Sequence, residues 1–76
     1  MDVIVQITQY IRDNWYEVYF GHIDFAAWDI LQHDRVDWCV DNLEMGEWIW
    51  PGGGKEFFFK NKDDALMFKL TWWDKW

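Results

Sequence analysis

The fold of this chain is decided by residues 55–73, KEFFFKNKDDALMFKLTWW, which predict a strand, a helix start and a helix in one run. Three consecutive phenylalanines lie between Glu56 and Lys60, so the strand is apolar on both faces, as is typical of a strand covered on each side. Asn61 is the expected N-cap of the helix, with its side-chain oxygen accepting a hydrogen bond from the amide of Asp64.

The helix that follows carries apolar residues on two adjoining lines. Both lines have helical spacing, with Ala65, Phe68 and Trp72 on the first and Leu66, Leu70 and Trp73 on the second. Together they predict a broad apolar face, wide enough to lie flat on a sheet.

Composition predicts one small domain, residues 1–76, near the lower size limit for folding alone. Cys39 is the only cysteine, so no disulfide framework supports the domain. Eight tryptophans, six phenylalanines and three tyrosines are more than one small core encloses easily. Some of these rings are therefore expected in an interface, with a partner or in a homodimer, although tryptophan and tyrosine often stay partly exposed in small proteins.

The net charge of −7 argues against binding to a nucleic-acid backbone or to an anionic membrane. Most of this charge lies in residues 1–50, since residues 51–76 carry four acids against five lysines. No stretch is long and apolar enough to span a bilayer, and the start, MDVIVQITQY, lacks the pattern of a signal peptide. With a lone thiol, these features predict a cytoplasmic protein.

The N-terminal segment has two interpretations. Val3, Val5 and Ile7 alternate with their neighbours and nearly all residues there are β-branched, which favours a strand. A helix competes, because the isoleucines of this segment also recur at helical spacing. We favour the strand, paired as a hairpin with a second strand at residues 15–20, WYEVYF.

The middle of the chain predicts helices followed by a hairpin. Asp24 is the expected cap of a helix through Gln32, and Asp34 of a second through Glu44, unless the two are a single bent helix. The inward stripe consists of Val36, Cys39, Val40 and Leu43. Gly46 is the expected helix stop, and a third strand at residues 47–50 leads through PGGG into the phenylalanine strand. The predicted class is α+β, with the order β-β-α-β-β-α and helices packed on one face of a small antiparallel sheet.

The most distinctive polar feature is a set of carboxylates on the face of the middle helix opposite its apolar stripe. Its members, spaced at i, i+3, i+7 and i+10, are Asp34, Asp37, Asp41 and Glu44. One interpretation is a solvated face that keeps a tryptophan-rich protein soluble. The sharper one is a docking surface for a basic protein partner. A divalent-cation site is the weakest, since carboxylates strung along three turns do not converge on one point.

No residue pattern indicates catalysis, a metal or a cofactor. Cys39 falls on the buried stripe and His33, six residues earlier, faces elsewhere, so a nucleophile pair is not predicted. PGGGKE does not match a phosphate-binding loop, because no Ser or Thr follows the lysine and a strand follows instead of a helix.

Tryptophans near the C-terminus are the other candidate binding residues. They are Trp48, Trp50, Trp72, Trp73 and Trp76. They are predicted to contribute to a partner-binding surface or a self-interface. Together with nearby lysines such as Lys55 and Lys69, they could instead stack on a nucleotide, although core packing accounts for most such rings.

Two sequence patches carry a resemblance to a known family. Residues 64–72, DALMFKLTW, follow a DA-x-x-FKL-x-W signature, and residues 37–42, DWCVDN, form a second patch. In these patches the chain resembles short uncharacterised proteins of tailed phages, especially marine phages of cyanobacteria. The resemblance implies a small accessory protein that works in the host cytoplasm, and it carries over no catalytic residues.

The leading functional hypothesis is a non-enzymatic protein that binds a host or phage protein, steered by the acidic helix and anchored by the aromatic surface. The alternative is a protein that binds or sequesters a small nucleotide-type ligand between tryptophans at a dimer interface.

Overall fold

The computed structural model describes residues 3–51 and 54–74. The elements in order are α1 (Val3–Asn14), β1 (Tyr16–Tyr19), α2 (Phe25–Asn42), β2 (Trp48–Ile49), β3 (Glu56–Phe59) and α3 (Lys62–Trp72). The strands form an antiparallel sheet in the order β1-β3-β2. The α+β class with a small antiparallel sheet is therefore confirmed. No helix within the described ranges is long and apolar enough to cross a membrane.

The phenylalanine strand β3 is the centre of the sheet, as its two apolar faces predict. It pairs with β1 through Tyr16↔Phe59 and with β2 through Trp48↔Phe59. Phe57, Phe58 and Phe59 are all buried. Since successive side chains of a strand point to opposite faces, Phe58 needs cover on one side of the sheet and its two neighbours need cover on the other.

The predicted N-terminal strand is wrong, because residues 3–8 belong to α1. β1 consequently finds its partner in β3 instead of in a hairpin with the N-terminal segment. The end of α1 lies on the Phe58 side of the sheet, where the Arg12 guanidinium is 5.4 Å from the centre of the Phe58 ring. Arg12 also pairs with Glu56 at 3.3 Å and with Glu17 at 3.8 Å, both on that face.

The expectation that every helix packs on one face is also wrong, since α1 lies opposite α2 and α3. The physical reason is β3 itself. A strand that is apolar on both faces must be shielded from water on both, and α1 supplies the cover that α2 and α3 cannot reach.

Of the two arrangements predicted for the middle of the chain, the single helix is the one observed, because α2 continues through Asp34 without a break. Asp24 caps it as predicted, since its Oδ1 accepts from the Ala27 amide at 2.8 Å. The helix ends when Leu43 adopts an extended backbone, which makes Gly46 a turn residue rather than the helix stop. Gly46 has φ 89° in a turn closed by the Glu47 amide on the Glu44 carbonyl at 3.1 Å.

The main core lies between the sheet and the pair of helices α2 and α3. Phe68 is central to it, with its ring 4.8 Å from the rings of both Phe57 and Phe59. The first apolar line of α3 faces this core as predicted, with Ala65 and Phe68 buried. The second line does not, because Leu66 and Leu70 are exposed. A single α-helix presents only one side to a small sheet, so one of its two apolar lines stays outside.

Candidate interaction surface

The predicted acidic face is present on α2 but is shorter than expected. Asp34, Asp37 and Asp41 are exposed along the helix, and we call them the acidic row. Glu44 leaves this row, because α2 ends at Asn42 and the chain turns away through the extended Leu43. The carboxylate of Glu44 is also exposed, but it lies with a different group of side chains.

The fold places Glu44 beside two acids that are distant in sequence, Glu47 and Asp64. These three carboxylates line an open polar recess of about 480 Å³, which we call the acidic recess. Lys60 contributes the one cationic side chain of this lining. The remaining wall residues are Asn42, Leu43 and Asn61. Sequence reasoning missed this site because no spacing rule relates the end of α2 to the start of α3.

Asn61 ties the acidic recess together. It occupies the N-cap position of α3, as predicted, but its side chain makes no capping hydrogen bond. The amide group instead donates to Glu47 Oε2 at 2.7 Å and to Asp64 Oδ2 at 3.3 Å. The predicted cap bond is therefore wrong, because two neighbouring carboxylates compete for this side chain and accept from its Nδ2. A donor placed between two anions reduces their mutual repulsion and holds both at the rim.

An apolar recess adjoins the acidic one. Its volume is about 350 Å³, and it is lined by Val40, Leu43, Met45, Gly46 and Trp48. Leu43 belongs to both recesses, so the apolar and the acidic walls meet at this side chain. Met45 is 99% exposed at the rim and Val40 is also largely exposed. The prediction that Val40 faces the core is therefore wrong, since it borders this recess, whereas Cys39 on the same stripe is fully buried.

The four candidate tryptophans within the described part of the chain do not form one exposed surface. Trp48 is half-buried and lines the apolar recess. The Trp50 indole nitrogen donates to the Gly54 carbonyl at 2.8 Å, and its ring stacks on Phe57. Trp72 is half-buried against the core, whereas Trp73 is partly exposed. Trp76 lies outside the described residues.

The most unexpected feature of α2 is Arg35, which is completely buried (0% exposed) although arginine side chains are mostly exposed in folded proteins. Its guanidinium donates to the carbonyls of Leu31 at 3.1 Å and Trp72 at 3.3 Å. The group also lies over aromatic rings, 4.8 Å from Phe20 and 5.1 Å from Trp72. Burial lowers the pKa of Arg35, and neighbouring Asp34 partly opposes that shift.

A sequence signal for the burial of Arg35 exists in retrospect. Trp28, Arg35 and Cys39 are the buried residues of α2, and they follow one another at i, i+7 and i+11. That line is continuous on one side of a helix, so an arginine within it shares its side with a tryptophan and a buried thiol. The Arg35 side chain is thus held in the core by two carbonyls, whereas Asp34, Asp37 and Asp41 stay exposed.

The groups considered for catalysis are separated in the structure. Cys39 is buried, and this burial raises the pKa of its thiol to about 12. A nucleophilic cysteine needs a lowered pKa and access to its substrate, and Cys39 has neither. His33 is exposed on the other side of the helix. Within residues 3–51 and 54–74, no three His, Cys, Asp or Glu side chains converge as metal ligands.

No protein-family model, curated protein or solved structure matches this chain. Its function is therefore inferred from the geometry of the acidic row and of the two adjoining recesses.

Proposed function

We propose that this chain is a non-enzymatic interaction protein that binds a basic segment of another protein. An apolar side chain of that segment enters the apolar recess, and a neighbouring lysine or arginine lies against the acidic recess. The observation that carries the proposal is the shared wall at Leu43, which puts an apolar pocket and three carboxylates within reach of adjacent partner side chains. An apolar anchor with a charged rim is the usual anatomy of a protein interface.

The acidic row extends this site along α2 and supplies steering. Asp34, Asp37 and Asp41 are exposed and run towards the recesses at the end of the helix. Exposed charges of one sign accelerate encounter with an oppositely charged partner, and the effect decreases as salt screens the field. We therefore expect the acidic row to increase the association rate, and the recesses to set the lifetime of the complex.

A binding role accounts for the side chains better than a nucleotide site does. Trp50 and Trp72 already pack within the chain, which occupies ring faces that a base would need. Lys55, a cation that a phosphate would use, is buried, with its ammonium donating to the Ile23 carbonyl. The net charge of −7 also repels phosphates. The resemblance to phage proteins adds to the proposal that the partner is of host or phage origin and that the encounter takes place in the host cytoplasm.

The test uses labelled peptides, each with one leucine or phenylalanine flanked by lysine or arginine, titrated with the protein and read by fluorescence anisotropy. We expect binding that weakens with added salt. Asp37→Lys combined with Asp41→Lys should weaken it about tenfold or more at low ionic strength. The control is Asp13→Lys with Asp29→Lys, which makes the same charge change at exposed positions that belong neither to the acidic row nor to the lining of the two recesses. Equal binding by the two double variants would refute the steering role.

A second variant tests the apolar recess on its own. Val40→Ser removes a largely exposed wall residue, so the fold should keep its stability while the peptides with leucine or phenylalanine lose affinity. A peptide whose apolar residue is replaced by serine should be insensitive to this variant. Basic peptides that bind wild type and Val40→Ser equally well, whatever their apolar residue, would refute docking in the recess.

A further inference from the structure

The outer side of α3 exposes apolar residues that the fold does not use. Leu70 is 78% exposed and Leu66 is 53% exposed. Met67 and Trp73 flank them and are also exposed. Water-exposed apolar residues that are contiguous on one helix indicate an interface, whereas isolated ones do not.

These leucines belong to a regular row along the helix, with Lys62, Leu66, Leu70 and Asp74 at strict four-residue spacing, which we call the α3 row. Asp74 continues the row beyond α3, because Trp73 keeps a helical backbone and its amide bonds to the Lys69 carbonyl at 2.9 Å. All four side chains are exposed. Rows at this spacing form the ridges by which helices commonly pack, and this one is about 18 Å long.

The charges at the ends of the α3 row have opposite signs. Lys62 and Asp74 are equally distant from the midpoint of the row, as are Leu66 and Leu70. A second, antiparallel copy of the row therefore matches the first completely, with lysine opposite aspartate at both ends and leucine opposite leucine between them. A parallel copy would place like charges together.

We infer that the α3 row is the interface of a symmetric homodimer, in which α3 of one copy packs antiparallel on α3 of another. Lys62 of each copy faces Asp74 of the other, and Leu66 faces Leu70. This is the reciprocal pattern that a two-fold axis requires, since residue i contacts j and j contacts i. Antiparallel helix dipoles favour the same arrangement.

The edge of this interface is held in place within each copy. The Trp73 ring lies 4.5 Å from the ring of His22, and the Lys69 ammonium is 4.8 Å from the centre of the same indole. A side chain that is already ordered loses little conformational entropy on association. The row and its flanks are fewer residues than the ~20–30 a side of a standard stable interface, so the dimer is expected to dissociate in the micromolar range.

Sedimentation velocity on the full chain, from about 1 µM to about 1 mM, tests the inference. Wild type should shift from monomer to dimer with concentration. Leu70→Gln should raise the dimer dissociation constant more than about tenfold, because each dimer contains this residue twice. Ile30→Gln is the matched control, since Ile30 is equally exposed (75%) but lies on α2. A wild-type protein that stays monomeric at every concentration would overturn the homodimer. An equal change of the dimer dissociation constant in Leu70→Gln and Ile30→Gln would overturn it as well.

Charge reversal distinguishes this arrangement from any other self-association. Lys62→Asp alone and Asp74→Lys alone each place like charges at both ends, and each should weaken the dimer about tenfold. An equimolar mixture of these two variants should form a heterodimer, in which every end pair is again opposite in sign, and the double variant should recover self-association. Failure of either recovery would refute the antiparallel register, and a mixture that recovers while the double variant does not would indicate a parallel pairing instead. The α3 row shares no residue with the recesses, so this result is independent of peptide binding.

Discussion

Cys39 offers the most specific test of the core, because its thiol is fully buried and its ionisation there costs free energy. Burial raises the thiol pKa from an ordinary value of 9.0 to about 12. The folded protein therefore holds the thiol proton more tightly than the unfolded chain does. The stability that this contributes is fully present below about pH 9 and is lost progressively as the pH rises from there towards about 12.

The magnitude follows from these two pKa values. At about pH 10 roughly nine in ten unfolded thiols are ionised, whereas the folded thiol is still protonated. The resulting loss in the free energy of unfolding is about 1 kcal/mol between neutral pH and pH 10. The raised pKa also lowers the thiolate fraction of the folded protein about a thousandfold near pH 8, before any steric protection is counted.

The assay is urea unfolding followed by tryptophan fluorescence, for wild type and for Cys39→Ala, at several pH values from neutral to about 10. All other side chains are the same in the two proteins, so their contributions cancel in the difference between the two free energies of unfolding. That difference should decrease with pH by about 1 kcal/mol, and a thiol reagent should modify the folded protein far more slowly than the unfolded one. A difference that is constant with pH, or a thiol that reacts rapidly in the native state, would refute the structural role of Cys39.

Two further substitutions test the backbone and the buried cation by the same unfolding assay. Arg35→Lys should destabilise the protein by about 2 kcal/mol. A lysine cannot donate to the Leu31 and Trp72 carbonyls together while lying flat against aromatic rings. A variant as stable as wild type would contradict the packing of Arg35. Gly46→Ala should cost about 1 kcal/mol, since φ is 89° there and the added methyl would meet no other atom within 4 Å, which leaves backbone strain as the whole effect. An unchanged unfolding midpoint would show that this turn adopts another conformation in solution.

The success of the sequence prediction depends on how local each feature is. The strand Glu56–Phe59 and the cap at Asp24 were predicted correctly, because a run of phenylalanines and a capping aspartate act within a few residues. The apolar residues between positions 3 and 8 fit the spacing of a strand and also that of a helix. The preference of β-branched residues for strands favoured a strand, whereas the structure has a helix there. The need to cover Phe58 from the other side of the sheet, a contact distant in sequence, is met by the helix.

The candidate site likewise has one part that the sequence predicts and one part that it does not. The acidic row could be predicted, since helical spacing alone places Asp34, Asp37 and Asp41 on the solvent side of α2. The acidic recess could not. It depends on the unwinding of the chain after Asn42 and on hydrogen bonds from Asn61 to residues as far as fourteen positions away.

The sequence by itself determined the α+β class, the central phenylalanine strand and the acidic row, because each follows from periodicity or capping inside one element. Only the tertiary structure decided which apolar line of α3 is buried, that Arg35 enters the core, and that Glu44, Glu47 and Asp64 meet in one recess. Both lines of α3 have the same period and similar hydrophobicity. Which one faces the sheet depends on the space left beside Phe57, Phe59 and α2, and that space exists only once distant parts of the chain have packed together.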